Sequence, residues 1–218
     1  MSAYAISNAL DVSPVRDYRE KQYMDIISKY KDDETIRVAE MLRTVTEAYE
    51  ENPEQDFLGT VFMELDMGNP YAGQFFTPYN ISRLLAQIAT PDPATEISKN
   101  GYVQVNEPCV GGGAMLIACA NELRRHGFDC SWQMWYEGQD VSYVAALMAY
   151  IQTSLLGMAG VIIVADTLLH PSGMGLSDDK QALNTFYTPM AYRQEWVDRA
   201  AVRRLSMISQ KEELRNEP

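Results

Sequence analysis

Histidine and cysteine are scarce in this sequence of 218 residues, which contains two histidines and three cysteines. A structural zinc site takes about four clustered ligands, whereas Cys109, Cys119 and Cys130 are spread along the chain and form no CxxC pair. An odd number of cysteines in a chain of this length also does not suit a disulfide scaffold. We therefore expect reduced thiols and no metal site.

Long hydrophobic runs are also missing. No apolar segment reaches the roughly 18 residues that a membrane span needs, and the longest candidate, residues 141–165, is interrupted by Gln152, Thr153 and Ser154. The N-terminus lacks the basic region and apolar stretch of a secretory signal. With 46% hydrophobic and 22% charged residues, the composition is that of a globular protein. We expect a cytoplasmic location and no membrane partner.

Basic charge is the third shortage, because 18 Lys and Arg face 30 Asp and Glu and the net charge is −12. DNA binding depends on cations that neutralise phosphates. Either a partner subunit or a second copy supplies the DNA contact, or nucleic acid is not the ligand. A homodimer and a hetero-oligomer are both open.

The first third of the chain, residues 1–70, predicts a small helical region. Apolar residues recur at helical spacing after Pro14 and again after the acidic run at residues 32–34, where acids suit a helix N-terminus. A third helix is expected near Asp56, and the breaker sequence at residues 68–70 ends it.

Residues 71–190 instead alternate between strand and helix patterns, and a charged helix is expected over residues 191–218. Apolar or β-branched strand candidates lie at residues 102–105, 132–136 and 161–165, and helical patterns lie between them at 114–125 and 142–156. This order predicts a parallel sheet connected by right-handed crossovers, the layout of nucleotide-binding α/β domains. Residues 182–187 are a candidate for a short fourth strand.

Three acids follow the three strand candidates. Glu107 precedes a turn with three glycines, residues 111–113, and Asp140 and Asp166 close the next two strands. Glycines allow a backbone to approach a ligand closely, and ligands of open α/β sheets bind at the carboxyl ends of the strands. The pattern favours a nucleoside-type ligand, although a tight turn with no ligand would also explain the glycines. It is neither a GxGxxG nor a phosphate-binding lysine motif.

Several motifs in order resemble adenine-N6 DNA methyltransferases, and most closely the modification subunits of type I restriction systems. Residues 73–78, GQFFTP, resemble the G-x-F-[FY]-T-P motif, and residues 107–116, EPCVGGGAML, resemble D-P-x-x-G-S-G-x-F-L. Residues 138–140 resemble G-Q-E, residues 165–168 resemble G-D-T-L, and residues 56–59 resemble the helical lead-in of the family. Order and spacing agree from about residue 55 to residue 169.

The resemblance implies a Rossmann-like methyltransferase fold, here with a truncated parallel-type sheet behind a small helical bundle, and S-adenosylmethionine as cofactor. Carried over by position, Glu107 would face the ammonium group, Asp140 the ribose and Asp166 the adenine amino group. The methionine end would be lined by Phe76, Thr77 and Pro78, with close backbone approach at Gly111 and Gly113. An acidic, partly aromatic pocket also suits a sulfonium cation.

The sequence departs from the family at the motif that orients the target base, [DNS]-P-P-[YFW]. The nearest string, residues 184–187, keeps Asn184 and Tyr187 but has neither proline. The family sheet has seven strands, whereas about four fit here.

Three hypotheses follow. The chain is an adenine-N6 DNA methyltransferase that uses Asn184 and Tyr187, completed by a partner or a second copy. Alternatively, it is a cofactor-binding pseudo-methyltransferase with a regulatory or anti-restriction role, or an interaction protein that has lost the ligand. The three acids argue against the last.

Overall fold

The computed structural model describes residues 1–65, 75–90, 92–172 and 183–202. In this part of the chain one sheet has the strand order β1-β2-β3-β4, with β1 (Val103–Glu107), β2 (Met134–Asp140), β3 (Ala159–Val164) and β4 (Thr185–Tyr187). β1, β2 and β3 are parallel, and β4 is antiparallel to β3. The predicted α/β class with a short, largely parallel sheet is confirmed.

Helices precede and connect the strands. In chain order they are α1 (Ser2–Asn8), α2 (Val15–Ile27), α3 (Asp32–Glu51), α4 (Phe57–Glu64), α5 (Tyr79–Ala89), α6 (Pro93–Asn100), α7 (Ala114–Arg125), α8 (Cys130–Gln133) and α9 (Tyr143–Leu155). A 3-10 turn, Pro189–Tyr192, follows β4, and residues 194–202 form a further helix, α10.

The two helices that connect the parallel strands form the centre of the core. α7 joins β1 to β2, and its residues Leu116, Ile117, Ala120 and Leu123 are fully buried. α9 joins β2 to β3 and buries small and aromatic residues such as Ala149 and Tyr150. Apolar area removed from water stabilises a fold by about 25 cal/mol per Å², so these helices fix the strand ends where the predicted site lies.

Three short helices were not expected from the sequence. α1 buries Ala3, Tyr4, Ser7 and Asn8, so tertiary packing stabilises a segment too short to be helical alone. α8 occupies the start of the strand expected at residue 132, so β2 begins two residues later. α6 carries standard end signals, since Asp92 caps it, Pro93 starts it and Gly101 ends it with a φ of 81°.

The N-terminal helices pack against the sheet layer. The hydroxyl groups of Tyr4 and Tyr143 are 2.6 Å apart. Arg19 of α2 is buried, lies 2.7 Å from Asp11 and donates to the carbonyl of Thr185 in β4. One continuous cluster of buried apolar residues runs from Ala3 to Phe186.

Membrane-spanning helices and metal-binding clusters are both missing from the described ranges. These ranges contain no helix both long and apolar enough to cross a membrane. They also contain no group of three or more His, Cys, Asp or Glu residues placed to hold a metal ion.

Candidate functional site

Glu107 and Asp140 end the neighbouring strands β1 and β2, and the turn that follows β1 lies between them. Asp140 shapes this turn, because its Oδ2 accepts a hydrogen bond from the Gly111 amide at 2.8 Å. Its Oδ1 accepts from the Ser142 amide, also at 2.8 Å. A carboxylate offers about four lone-pair sites, so Asp140 keeps acceptor capacity for a ligand.

The glycine turn needs glycine for both conformation and space. Gly111 and Gly113 have φ values of 52° and 103°, in the left-handed region that side chains disfavour. A Cβ on Gly111 would lie 3.1 Å from Cδ1 of Phe76. Phe76 also stacks on Phe62 with the ring centroids 5.2 Å apart. An aromatic ring therefore lies directly against the backbone of the turn.

The environment of Glu107 raises the pKa of its carboxyl group above the usual value. Partial burial is the main cause, and the negative charge of Asp140 adds to it. A hydrogen bond from the Cys109 amide at 3.2 Å acts in the opposite direction. A cation bound between Glu107 and Asp140 would relieve their repulsion.

The turn after β3 carries the third predicted acid, Asp166, and contacts the turn after β1. Asp166 is half-buried, and its Oδ1 accepts from the amides of Leu168 at 2.9 Å and Leu169 at 3.3 Å. Thr167 donates to the carbonyl of Pro108 at 2.6 Å, which connects the turn after β3 to the turn after β1.

Four of the predicted cofactor residues therefore meet around one turn: Phe76, Glu107, Gly111 and Asp140. Thr77 and Pro78 are exposed and lead into α5. Gly113 begins α7, where a Cβ would lie 3.3 Å from Ala149, so this glycine also permits close helix packing. Gly73 and Gln74 of the GQFFTP motif lie outside the described residues.

Asn184 directly precedes the antiparallel strand β4, and Tyr187 is the last residue of that strand. The Asn184 carbonyl accepts from the Val164 amide at 2.8 Å, close to the carboxyl end of β3, and Tyr187 pairs with Val161 further back along that strand. Asn184 lines a cavity of about 500 Å³ together with residues of α1, α2 and α9. Strand β4 lies at the opposite edge of the sheet from β1, with β2 and β3 between them.

Sequence reasoning missed several residues that build the site. Gln139 is fully buried, donates to the His170 carbonyl at 2.8 Å and accepts from the Ser172 amide at 2.7 Å, so it anchors the segment after β3. Asp56 and Gln152 lie behind the glycine turn. Two features of the sequence point to these residues. Gln152 is a polar residue within an apolar helix, and Asp56 is an aspartate at the start of a predicted helix.

A known protein family matches the region of the chain that contains this site. Residues 65–213, more than half of the sequence, match the model of the family described as N-6 DNA Methylase. The chain belongs to the N-6 DNA methylase family. The matched range contains the GQFFTP motif, the glycine turn and all three acids.

Members of the N-6 DNA methylase family are in general S-adenosylmethionine-dependent methyltransferases, and membership supports an adenine-N6 methyltransferase-like function. No curated protein matches the chain.

Proposed function

We propose that this N-6 DNA methylase family chain binds S-adenosylmethionine at the carboxyl ends of β1 and β2 and acts in adenine-N6 DNA methylation of the restriction-modification type. The observation that carries the proposal is the arrangement around the glycine turn. Glu107 and Asp140 flank the turn, and Phe76 lies against Gly111.

Each group suits one part of the cofactor. Glu107 would face the ammonium group, since a partly buried carboxylate beside a second one favours a cation. Asp140 would accept hydrogen bonds from the ribose hydroxyls with the lone pairs that Gly111 and Ser142 leave free. Phe76, with Thr77 and Pro78, would line the methionine end, where the face of an aromatic ring attracts a sulfonium.

Exposed apolar residues beside the acids suit the adenine ring. Val141 directly follows Asp140 and is 75% exposed, and Leu168, two residues after Asp166, is 93% exposed. Such side chains would lose contact with water when a planar ring packs between them. Asp166 would accept a hydrogen bond from the adenine amino group, and Gly113 would allow close approach of the backbone.

Methyl transfer requires a group that orients the target amine. When bound, the cofactor supplies an activated methyl group. Asn184 precedes β4 and Tyr187 ends it, at the sheet edge away from β1, so the catalytic role assigned to them would require completion of the site by a partner subunit or a second copy of the chain. In that arrangement Asn184 would accept a hydrogen bond from the adenine amino group and direct its lone pair, and Tyr187 would stack on the flipped base. The net charge of −12 supports DNA contact through a partner subunit or a second copy of the chain.

Calorimetric titration with S-adenosylmethionine tests the binding site. We expect wild type to bind and Asp140→Ala to lose affinity about tenfold or more, because hydrogen bonds to a charged group contribute about 1.5–3 kcal/mol. The matched control is Asp129→Ala, which removes an aspartate that caps a turn at the other end of β2. Absence of binding by folded wild type would contradict the proposal.

A methylation assay on adenine-containing duplex DNA, with and without candidate partner subunits, tests turnover. We expect Asn184→Ala to abolish transfer while cofactor affinity stays near that of wild type. Asn100→Ala, at an exposed helix end, serves as the control. Full activity of Asn184→Ala would remove the catalytic role assigned to that residue.

A further inference from the structure

Gln152 lies in the middle of the apolar helix α9, and its side-chain amide is fully hydrogen-bonded. Its Nε2 donates to Asp56 Oδ1 at 2.8 Å and to the Gly112 carbonyl. Its Oε1 accepts from the Leu58 amide at 2.8 Å and from the Tyr49 hydroxyl. A backbone N–H can only donate and a carbonyl can only accept, so Leu58 and Gly112 fix the orientation of this amide.

Asp56 is the second member of this buried group. Its side chain caps α4, where Oδ1 accepts from the Gly59 amide at 3.0 Å in addition to Gln152. Two glycines make room for it, because a Cβ on Gly112 would lie 3.3 Å from Asp56 Oδ1 and from the Gly59 Cα. The start of α4 therefore packs directly against the glycine turn.

These contacts hold the glycine turn at a second point, next to the one held by Asp140. The Gly112 carbonyl is bound by Gln152, and the amide of the same peptide group, that of Gly113, donates to the Val110 carbonyl at 2.9 Å. Gly111, one residue earlier, is bound by Asp140 at 2.8 Å. The turn is thus fixed at Gly111 by an acid at the end of β2 and at Gly112 by α9 and the start of α4.

We propose that Asp56 and Gln152 are positioning residues that set the conformation of the glycine turn for cofactor binding. The helical segment that ends in α4 would then contribute to cofactor binding, because it supplies Asp56. The inference rests on the proposed cofactor function. Removal of a group that orients a metal ligand typically changes metal affinity or activity about 10–100-fold, and we expect an effect of similar size for these two positioning residues.

The energetic cost of this arrangement supports a role beyond core packing. Asp56 is only 3% exposed, and no ion pair to it is found within the described ranges. Burial raises the pKa of its carboxyl group, although the hydrogen bonds from Gln152 and Gly59 counteract part of that effect. Apolar residues could fill the same volume without this penalty, but they could not bind the Gly112 carbonyl.

Two near-isosteric variants of the full chain provide the test. Gln152→Met removes both donors and keeps the length of the side chain. The control Asn121→Leu removes an equally buried amide that binds the Pro53 carbonyl and the Tyr79 hydroxyl but does not contact the glycine turn. Both are compared with wild type by thermal unfolding, by S-adenosylmethionine titration well below each midpoint, and by the ¹H–¹⁵N cross-peak of Gly113.

We expect both variants to unfold at lower temperature, but only Gln152→Met to shift the Gly113 cross-peak and to lose affinity about tenfold or more. Asp56→Asn, which retains an oxygen acceptor, should keep affinity within a few-fold of wild type, whereas Asp56→Ala should lose it. If Gln152→Met does not fold, the two Asp56 variants test the positioning role: equal affinities of Asp56→Asn and Asp56→Ala would overturn it.

Unchanged affinity in Gln152→Met, or an equal loss in Asn121→Leu, would overturn the positioning role while leaving the proposed function intact. Failure of folded wild type to bind S-adenosylmethionine would overturn the proposed function, and the positioning role with it. A Gly113 shift in Gln152→Met with no binding by wild type would reduce the pair to a structural role, which also overturns the inference.

Discussion

Asp140 shows how one residue combines structure with recognition. Its carboxylate binds the amides of Gly111 and Ser142, so it fixes the turn after β1 and the start of α9 together. The same negative charge contributes to the raised pKa of Glu107. A site built in this way is arranged before any ligand arrives, which lowers the cost of binding.

The raised pKa of Glu107 predicts a pH dependence of cofactor affinity. Only the ionised carboxylate attracts an ammonium group, so affinity should be constant at neutral pH and fall as the pH drops through the raised pKa. The fall should therefore begin above the ordinary value of 4.5. Glu107→Gln should bind more weakly at neutral pH and lose this dependence. Titrations of both proteins across the acidic range check it, and parallel profiles would contradict it.

Cys109 offers a chemical probe of the same turn. It is exposed, whereas Cys119 and Cys130 are buried. Burial raises the pKa of Cys119 to about 12 and also raises that of Cys130. Because the thiolate is the reactive form, an alkylating reagent should label Cys109 first. S-adenosylmethionine should slow this labelling in wild type but much less in Asp140→Ala. Equal labelling rates with and without the cofactor would place the ligand elsewhere.

At the scale of elements, β2 and β3 pack so closely that one position excludes any side chain. A Cβ on Gly160 would lie 2.5 Å from both Cδ1 and the carbonyl oxygen of Tyr136, its partner in register. Gly160→Ala should therefore destabilise the protein by about 1–3 kcal/mol, the usual cost of overpacking. Thermal or denaturant unfolding measures the loss.

Gly127→Asn is the control for that substitution. Gly127 has a φ of 82°, and a Cβ there would meet no atom within 4 Å. Asn adopts this conformation more readily than other side chains, so the loss should stay below about 1 kcal/mol. An equal loss at both positions would show that the close approach of Tyr136 does not account for the loss at Gly160.

The elements that could be predicted from the sequence are those with local signals. The glycine turn and an arginine pair bound α7 at residues 114–125, as expected, and the β-branched run at 161–165 gives β3 to within two residues. The direction of β4 could not be predicted, because a three-residue strand has no periodicity and its partner is chosen by tertiary packing. β4 pairs antiparallel with β3 and so takes Asn184 and Tyr187 to the edge of the sheet away from β1.

The part of the candidate site that depends on local sequence signals could also be predicted. The acids at strand ends follow from topology, and Glu107 and Asp140 do meet there. The roles of Asp56 and Gln152 could not be predicted, since the two residues lie 96 positions apart in the chain and only the tertiary fold brings them together. In the sequence, Gln152 reads only as an interruption of an apolar run.

For the whole molecule, the N-terminal helices and the sheet share buried contacts. Tyr4 meets Tyr143, Tyr49 meets Gln152, and Arg19 reaches the carbonyl of Thr185. Tyr4, Tyr49 and Arg19 precede the range of the family match, which begins at residue 65. Residues outside the matched range therefore complete the core of the matched domain.

This shared core predicts a single cooperative unfolding transition. Two spectroscopic signals weight the two parts differently, because the three tryptophans, Trp132, Trp135 and Trp196, all lie beyond residue 131, whereas helices lie on both sides of it and the longest, α3, lies before it. Far-ultraviolet circular dichroism follows the helices, and tryptophan fluorescence follows the sheet region. Because a two-state protein gives coincident curves by every probe, we expect the two midpoints to agree in wild type.

A break in the contacts between the two parts should lower both midpoints together. Arg19→Met removes the partner of the buried Asp11, and loss of one member of a buried ion pair costs about 3–5 kcal/mol. The exposed pair of Arg43 and Glu47 provides the control, since Arg43→Met should cost at most about 1 kcal/mol. If the fluorescence midpoint of Arg19→Met stayed at the wild-type value while the dichroism midpoint fell, the helices would form a separate folding unit. Coincident shifts would instead mean that the methyltransferase-like domain includes its N-terminal helices as part of one core.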